Sequence, residues 1–129
     1  MKKSKKILAG VLATVSMMSC MAMPTMAASN SFTNYTSGIT VSGAITVEQK
    51  YTYASTSVNP DYNGVSVRAE FTYQVGSKLK TTNGSNSGQG STSITVNPKA
   101  EDTTARGTEG KSWHSGPYVN SRYLYASRI

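Results

Sequence analysis

Past residue 26 the chain contains no cysteine or methionine, one histidine, two phenylalanines and no apolar run longer than four residues. Each shortage excludes something. Without cysteine no disulfide can staple the domain, so packing and hydrogen bonds must hold it. A closed zinc site wants four His or Cys ligands with only occasional carboxylates, and His114 cannot supply one alone. A Ser-His-Asp arrangement is formally available, yet nothing resembles a nucleophile elbow. Glu101 and Asp102 are adjacent, so they point apart in a strand and are solvated in a loop. Glu70 lies two residues from Arg68 on one strand face and reads as an ion-pair partner. Gly84, Gly88 and Gly90 lack the lysine of a phosphate loop. The chain therefore reads as a non-enzyme, with no cofactor and no metal.

The amino-terminal residues differ from the rest. Lys2, Lys3, Lys5 and Lys6 precede an apolar run from Ile7 to about Met18, followed by Pro24-Thr25-Met26-Ala27-Ala28. That is the layout of a secretory signal peptide. We expect residues 1–27 to be removed, with cleavage after Ala27 or Ala28, and residues 28–129 to form one secreted domain. The apolar run falls short of the about 20 residues a spanning helix needs. All six methionines and the single cysteine lie before Ala27, whereas all eight tyrosines follow it. A competing reading places a lipid on Cys20, after Met17-Met18-Ser19, although the usual branched residue three positions before the cysteine is absent.

Removing the four lysines lowers the formal charge from +7 to +3, nine Lys and Arg against six Asp and Glu. Nucleic-acid binding gains no support from that balance. Attraction to anionic cell envelopes and contact with a membrane surface remain compatible with it.

The residues present point to strands. In residues 65–75, Val65, Val67, Ala69, Phe71, Tyr73 and Val75 alternate with Ser66, Arg68, Glu70, Thr72 and Gln74. Successive strand side chains take opposite faces, which predicts a central antiparallel strand with Phe71 in the core. Ile39–Val47 alternates likewise, and Gly43 marks a bulge or a close approach of another backbone. Residues 50–55 extend before a turn signal at 59–64, so a hairpin into the 65–75 strand is expected. Residues 28–37 are polar and irregular in character, with Phe32 and Tyr35 as anchors. The Gly, Ser, Asn and Thr of 76–90 read as a long mobile loop, with Ser91–Val96 returning. Lys111 to His114 is extended, Ser115-Gly116-Pro117 turns, and residues 118–129 close the chain. Six or seven short strands predict an all-β protein, a small antiparallel β-sandwich. Residues 122–127 echo 50–55. Shared strand chemistry accounts for that, while a structural echo would set the two strands side by side.

Tyr51, Tyr53, Tyr73, Tyr118, Tyr123, Tyr125 and Trp113 give this domain an aromatic surplus. Rings with polar tips suit half-wet faces that stack sugars or meet proteins, and they equally suit a core short of leucine. Trp113 lies beside Lys111 and His114, ahead of a turn able to hold it at a sheet edge; its alternative place is the core. Trp113, His114, Lys111, Tyr123 and Tyr125 are the candidate binding residues.

The Ser91–Val96 strand, the polar loop after it, Trp113 and the closing Arg122-Tyr123-Leu124-Tyr125 resemble the lactococcin 972-like bacteriocins. The signal peptide, the size and the lack of mature cysteine fit that resemblance. The amino-terminal part is longer than that family's, lacks its Trp- and His-containing start, and the chain ends on Arg128-Ile129. The resemblance implies a β-sandwich secreted by Gram-positive bacteria that binds a lipid-linked wall precursor of sensitive cells. The expected partner is thus a cell-envelope component, either a wall precursor or a glycan. The other reading is an extracellular carbohydrate or cell-surface binding module without killing activity.

Overall fold

The computed structural model describes residues 27–129, so Cys20 and all of the expected signal segment but Ala27 lie outside the described residues. Eight strands follow in order: β1 (Ala28–Thr36), β2 (Ile39–Val47), β3 (Thr52–Asn59), β4 (Gly64–Val75), β5 (Lys78–Gln89), β6 (Ser91–Val96), β7 (Arg106–Gly116) and β8 (Val119–Ser127). They build two four-stranded antiparallel sheets, ordered β1-β2-β3-β6 and β5-β4-β7-β8. The chain is an all-β sandwich. Among the described residues no helix is long and apolar enough to cross a membrane.

The alternating strand is central, paired along its length with β5 and β7. Its inward set, Val65, Val67, Ala69, Phe71 and Tyr73, is buried against Val41, Ile45, Val47, Ala54 and Val58 of the other sheet. Phe71 stacks on Tyr73 with ring centroids 5.4 Å apart. Tyr73 then donates its hydroxyl to Asp102 Oδ2 at 2.8 Å, and Lys80 Nζ reaches Asp102 Oδ1 at 2.9 Å. Lys80, and after it Tyr73, hold the Asp102 carboxyl below the usual carboxylate range. This group pins residues 97–105 over one end of the core.

Three expectations about the chain path need correction. Residues 28–36 form strand β1, because all nine pair with β2 and Phe32 drops into the core. The turn at 60–63 does not close a hairpin: β3 lies in the first sheet and β4 in the second. Both strands are apolar on one side only, and crossing between sheets lets each bury that side against the other. Residues 78–89 are a strand rather than a loop. Gly76, at φ 63°, makes a two-residue turn with Ser77, and all twelve residues of β5 pair with β4. Composition misled because this strand needs no apolar side chains of its own. Its backbone is held by β4, and at Gly84 an added Cβ would come 3.3 Å from Ile94, so the bare backbone lies close over β6. Ser91–Val96 therefore pairs with β3 and not with β4.

Residues 50–55 and 122–127 fall in different sheets, so their tyrosines do not stack on each other. The lateral margins of the sandwich are linked by side chains. Asn86 Nδ2 donates to the Ser93 carbonyl (3.0 Å) and Thr82 Oγ1 to that of Asn97 (2.8 Å), joining β5 to β6 and to the residue just after it. On the opposite margin Asn30 Nδ2 donates to the Tyr125 carbonyl at 3.1 Å.

Candidate functional site

Because β4 and β7 are inner strands of one sheet, their outward residues meet in rows across it. Ser85, Arg68, Trp113 and Tyr123 are successive cross-strand partners, and Asn83, Glu70, Lys111 and Tyr125 form the next row. Such neighbours stand about 4.5–5.5 Å apart at Cβ, so their side chains touch. The Arg68 guanidinium lies 4.4 Å from the centroid of the Trp113 ring while its Nη2 pairs with Glu70 Oε2 at 2.7 Å. Trp113 and Tyr123 have centroids 5.5 Å apart. The Tyr125 hydroxyl donates to Glu109 Oε1 at 2.7 Å, which pushes the phenol pKa up. With Glu70 engaged by Arg68, Lys111 has no ion pair among the described residues.

Four of the five candidates thus share one solvent face: Lys111, Trp113, Tyr123 and Tyr125. Trp113 is neither at a sheet edge nor in the core; it stands half-buried on an inner strand. Beside it a shallow depression of about 590 Å³ is lined by hydroxyls of Ser66, Ser85, Ser87, Ser115 and Ser121. A serine hydroxyl gives one donor and two acceptor lone pairs, so this surface can answer polyhydroxylated ligands. Arg68 and the serines were missed as site residues. For Arg68 and Ser66 the signal was the even-numbered set of the 65–75 alternation, already assigned to the wet side; Ser85, Ser87, Ser115 and Ser121 carried no such signal.

His114 is the exception. One residue on from Trp113, it points the other way and is fully buried between the sheets. Its Nδ1 lies 2.7 Å from Thr56 Oγ1 of the first sheet and its Nε2 lies 2.7 Å from Ser112 Oγ of the second. Gly43 makes room for the ring: a Cβ there would sit 2.7 Å from His114 Nδ1 and 2.4 Å from Phe32. The Gly43 position predicted a bulge or the approach of another backbone; the space is taken by side chains instead. Burial lowers the imidazole pKa to about 4, opposed only by a backbone hydrogen bond at Ser55. The neutral ring has one donor and one acceptor, and either hydroxyl can serve in either role. His114 bridges the two sheets and takes no part in the outer face.

Among the described residues no group of three or more His, Cys, Asp and Glu side chains is placed to hold a metal. What the outer face offers is rigid aromatic area, hydroxyls and two cations, one of them already paired. Compared with known proteins, the chain matches no family model, no curated protein and no solved structure.

Proposed function

We propose that this chain is a secreted, bacteriocin-like binding protein that engages a cell-envelope component of Gram-positive bacteria through the outer face of its second sheet. The observation that carries the reading is the row formed by Arg68, Trp113 and Tyr123, with Lys111 and Tyr125 alongside. An aromatic surface held by the pairing of β7 with β8 is pre-organised, so little entropy is lost when a ligand stacks on it. Arg68 and Lys111 favour the phosphate or carboxylate groups that wall polymers and their precursors carry. Killing follows if the bound component is a wall precursor. The serine-lined depression favours the second reading, a carbohydrate-binding module that attaches without killing.

The test is attachment of the purified mature protein to a panel of Gram-positive strains, with growth followed in parallel. Trp113→Ala should weaken attachment at least tenfold, about 1.4 kcal/mol. Its melting temperature should move by less than about 8 °C, because the ring stands on the solvent face. Equal attachment by the variant would remove this face from the binding reading. Growth inhibition separates the bacteriocin from the plain binding module.

Export has its own check. The intact mass of the secreted product should correspond to a start at Ala28 or Ser29. A product starting at acylated Cys20 would instead make it a lipoprotein.

A further inference from the structure

The depression beside Trp113 does not stop at the serines. A second hollow of about 630 Å³ continues from it, sharing Ser66, Ser87 and Ser115 and reaching Gly64, Gly88, Gln89 and Gly116 at the end of the sandwich. None of the residues lining this second hollow is charged. The links at that end, residues 37–38, 60–63, 90 and 117–118, carry a single charged side chain, Asp61. They carry two strongly exposed rings, Tyr62 (69%) and Tyr118 (66%), next to the hollow in sequence. The Tyr62 carbonyl accepts a hydrogen bond from Gln89 Nε2, and Gly90 donates to the Asn63 carbonyl, so the turn that carries Tyr62 is tied to the hollow's rim.

Tyr118 is the more telling ring. It follows Pro117 in the turn between β7 and β8 and has φ 63°. That position of a proline-led turn asks for glycine or asparagine, because a Cβ is strained in the left-handed region. Packing does not compensate, since two-thirds of the residue is exposed. Strained non-glycine residues of this kind concentrate at binding sites.

We propose that the trough running from Trp113 to Gly116 is an extended site for an uncharged oligosaccharide chain, with the Trp113 ring as a stacking platform at one end and the Tyr118 ring, two residues beyond Gly116, as the platform flanking the other. This rests on the outer face of the second sheet being the binding face. Rings stack on the apolar faces of pyranoses, while the hydroxyls of Ser66, Ser87 and Ser115 exchange hydrogen bonds with those of the sugar. The lack of cations in the outer half disfavours phosphate there. A lipid surface is disfavoured for the same reason, because no basic residue flanks the tyrosines in these links.

The experiment titrates the mature protein with chitotetraose, cellotetraose and maltotetraose, following backbone amide signals by NMR. At least one should shift Ser66, Ser87, Ser115 and Gly116, with an affinity unchanged between 50 and 500 mM salt. Ser66→Asp should weaken that binding at least tenfold. Tyr118→Gly should weaken it about fivefold while raising the melting temperature, a pairing that a merely structural tyrosine would not give. No shift with any of the three, or full affinity in both variants, would overturn the proposal. Shifts confined to Arg68, Lys111 and Trp113, or binding abolished by salt, would overturn it too while leaving the broader reading intact. Failure of the wild type to attach to cells, by contrast, would count against the binding face itself.

Discussion

Phe71→Ala should destabilise the domain by about 3–5 kcal/mol, the usual range for emptying a large aromatic site in a core. Phe71 is completely buried at the middle of β4, stacked on Tyr73 and beside Gly107, where an added Cβ would come within 2.7 Å of the Phe71 ring. A gap here cannot collapse easily, because β4 is clamped on both sides by backbone pairing. Natural domains have only about 5–15 kcal/mol in hand, so the variant should be close to unfolded at body temperature. Thr72→Ala, one residue on and facing solvent, should cost within about 0.5 kcal/mol. Urea titrations of the two variants give the comparison. Equal losses would mean that the faces of β4 are exchanged, since a shift of one residue turns every side chain over.

Acid should weaken the protein in a defined window. His114 titrates near its ordinary 6.5 in the unfolded chain and at about 4 in the folded one. Between those values the unfolded state binds a proton that the folded state refuses, so stability falls as pH drops. It is fully present above about pH 6.5 and declines until about pH 4, where both states are protonated. A shift of this size corresponds to about 3 kcal/mol. The charged groups around the ring do not offset the change. Phe32 lies edge-on to the imidazole at 5.5 Å, and the group over Phe32 is the Arg122 guanidinium, a like charge. Asp102 has a lowered pKa and weakens the fold only below the ordinary carboxylate range, so the two effects separate along the pH axis. Urea midpoints at pH 7, 6, 5 and 4 should fall steadily for the native chain. In His114→Gln, whose amide can still both donate and accept, they should stay nearly flat over that interval. A native midpoint independent of pH would rule out the neutral buried bridge.

The sandwich was legible because β2 and β4 each carry an apolar residue at every second position, interrupted only by Gly43, and no period of two can be hidden in a helix. The outward placement of Lys111, Trp113, Tyr123 and Tyr125 was open to the same parity argument. His114 was misplaced because adjacency in sequence was taken for adjacency on a face, which a strand forbids. β5 was illegible for a different reason. Its stability resides in main-chain pairing with β4, and main-chain pairing leaves no mark on side-chain composition. The switch from one sheet to the other at 60–63 was equally hidden, since a turn signal says that the chain reverses and not which sheet receives it.

The amide side chains at the margins bear on how the protein behaves in company. An unpaired strand edge is a template on which another chain can add itself, the first step toward fibrils. In this chain Asn86 and Thr82 of β5 donate to the carbonyls of Ser93 in β6 and of Asn97 just after it, and Asn30 of β1 donates to the Tyr125 carbonyl of β8. The open sides of the sandwich are thereby partly occupied from within, much as closing a barrel removes its edges. A domain with no cysteine among its described residues gains colloidal security from this arrangement. Asn86→Ala and Asn30→Ala would loosen the margins without touching the core, and lateral self-association is where the loss would be felt.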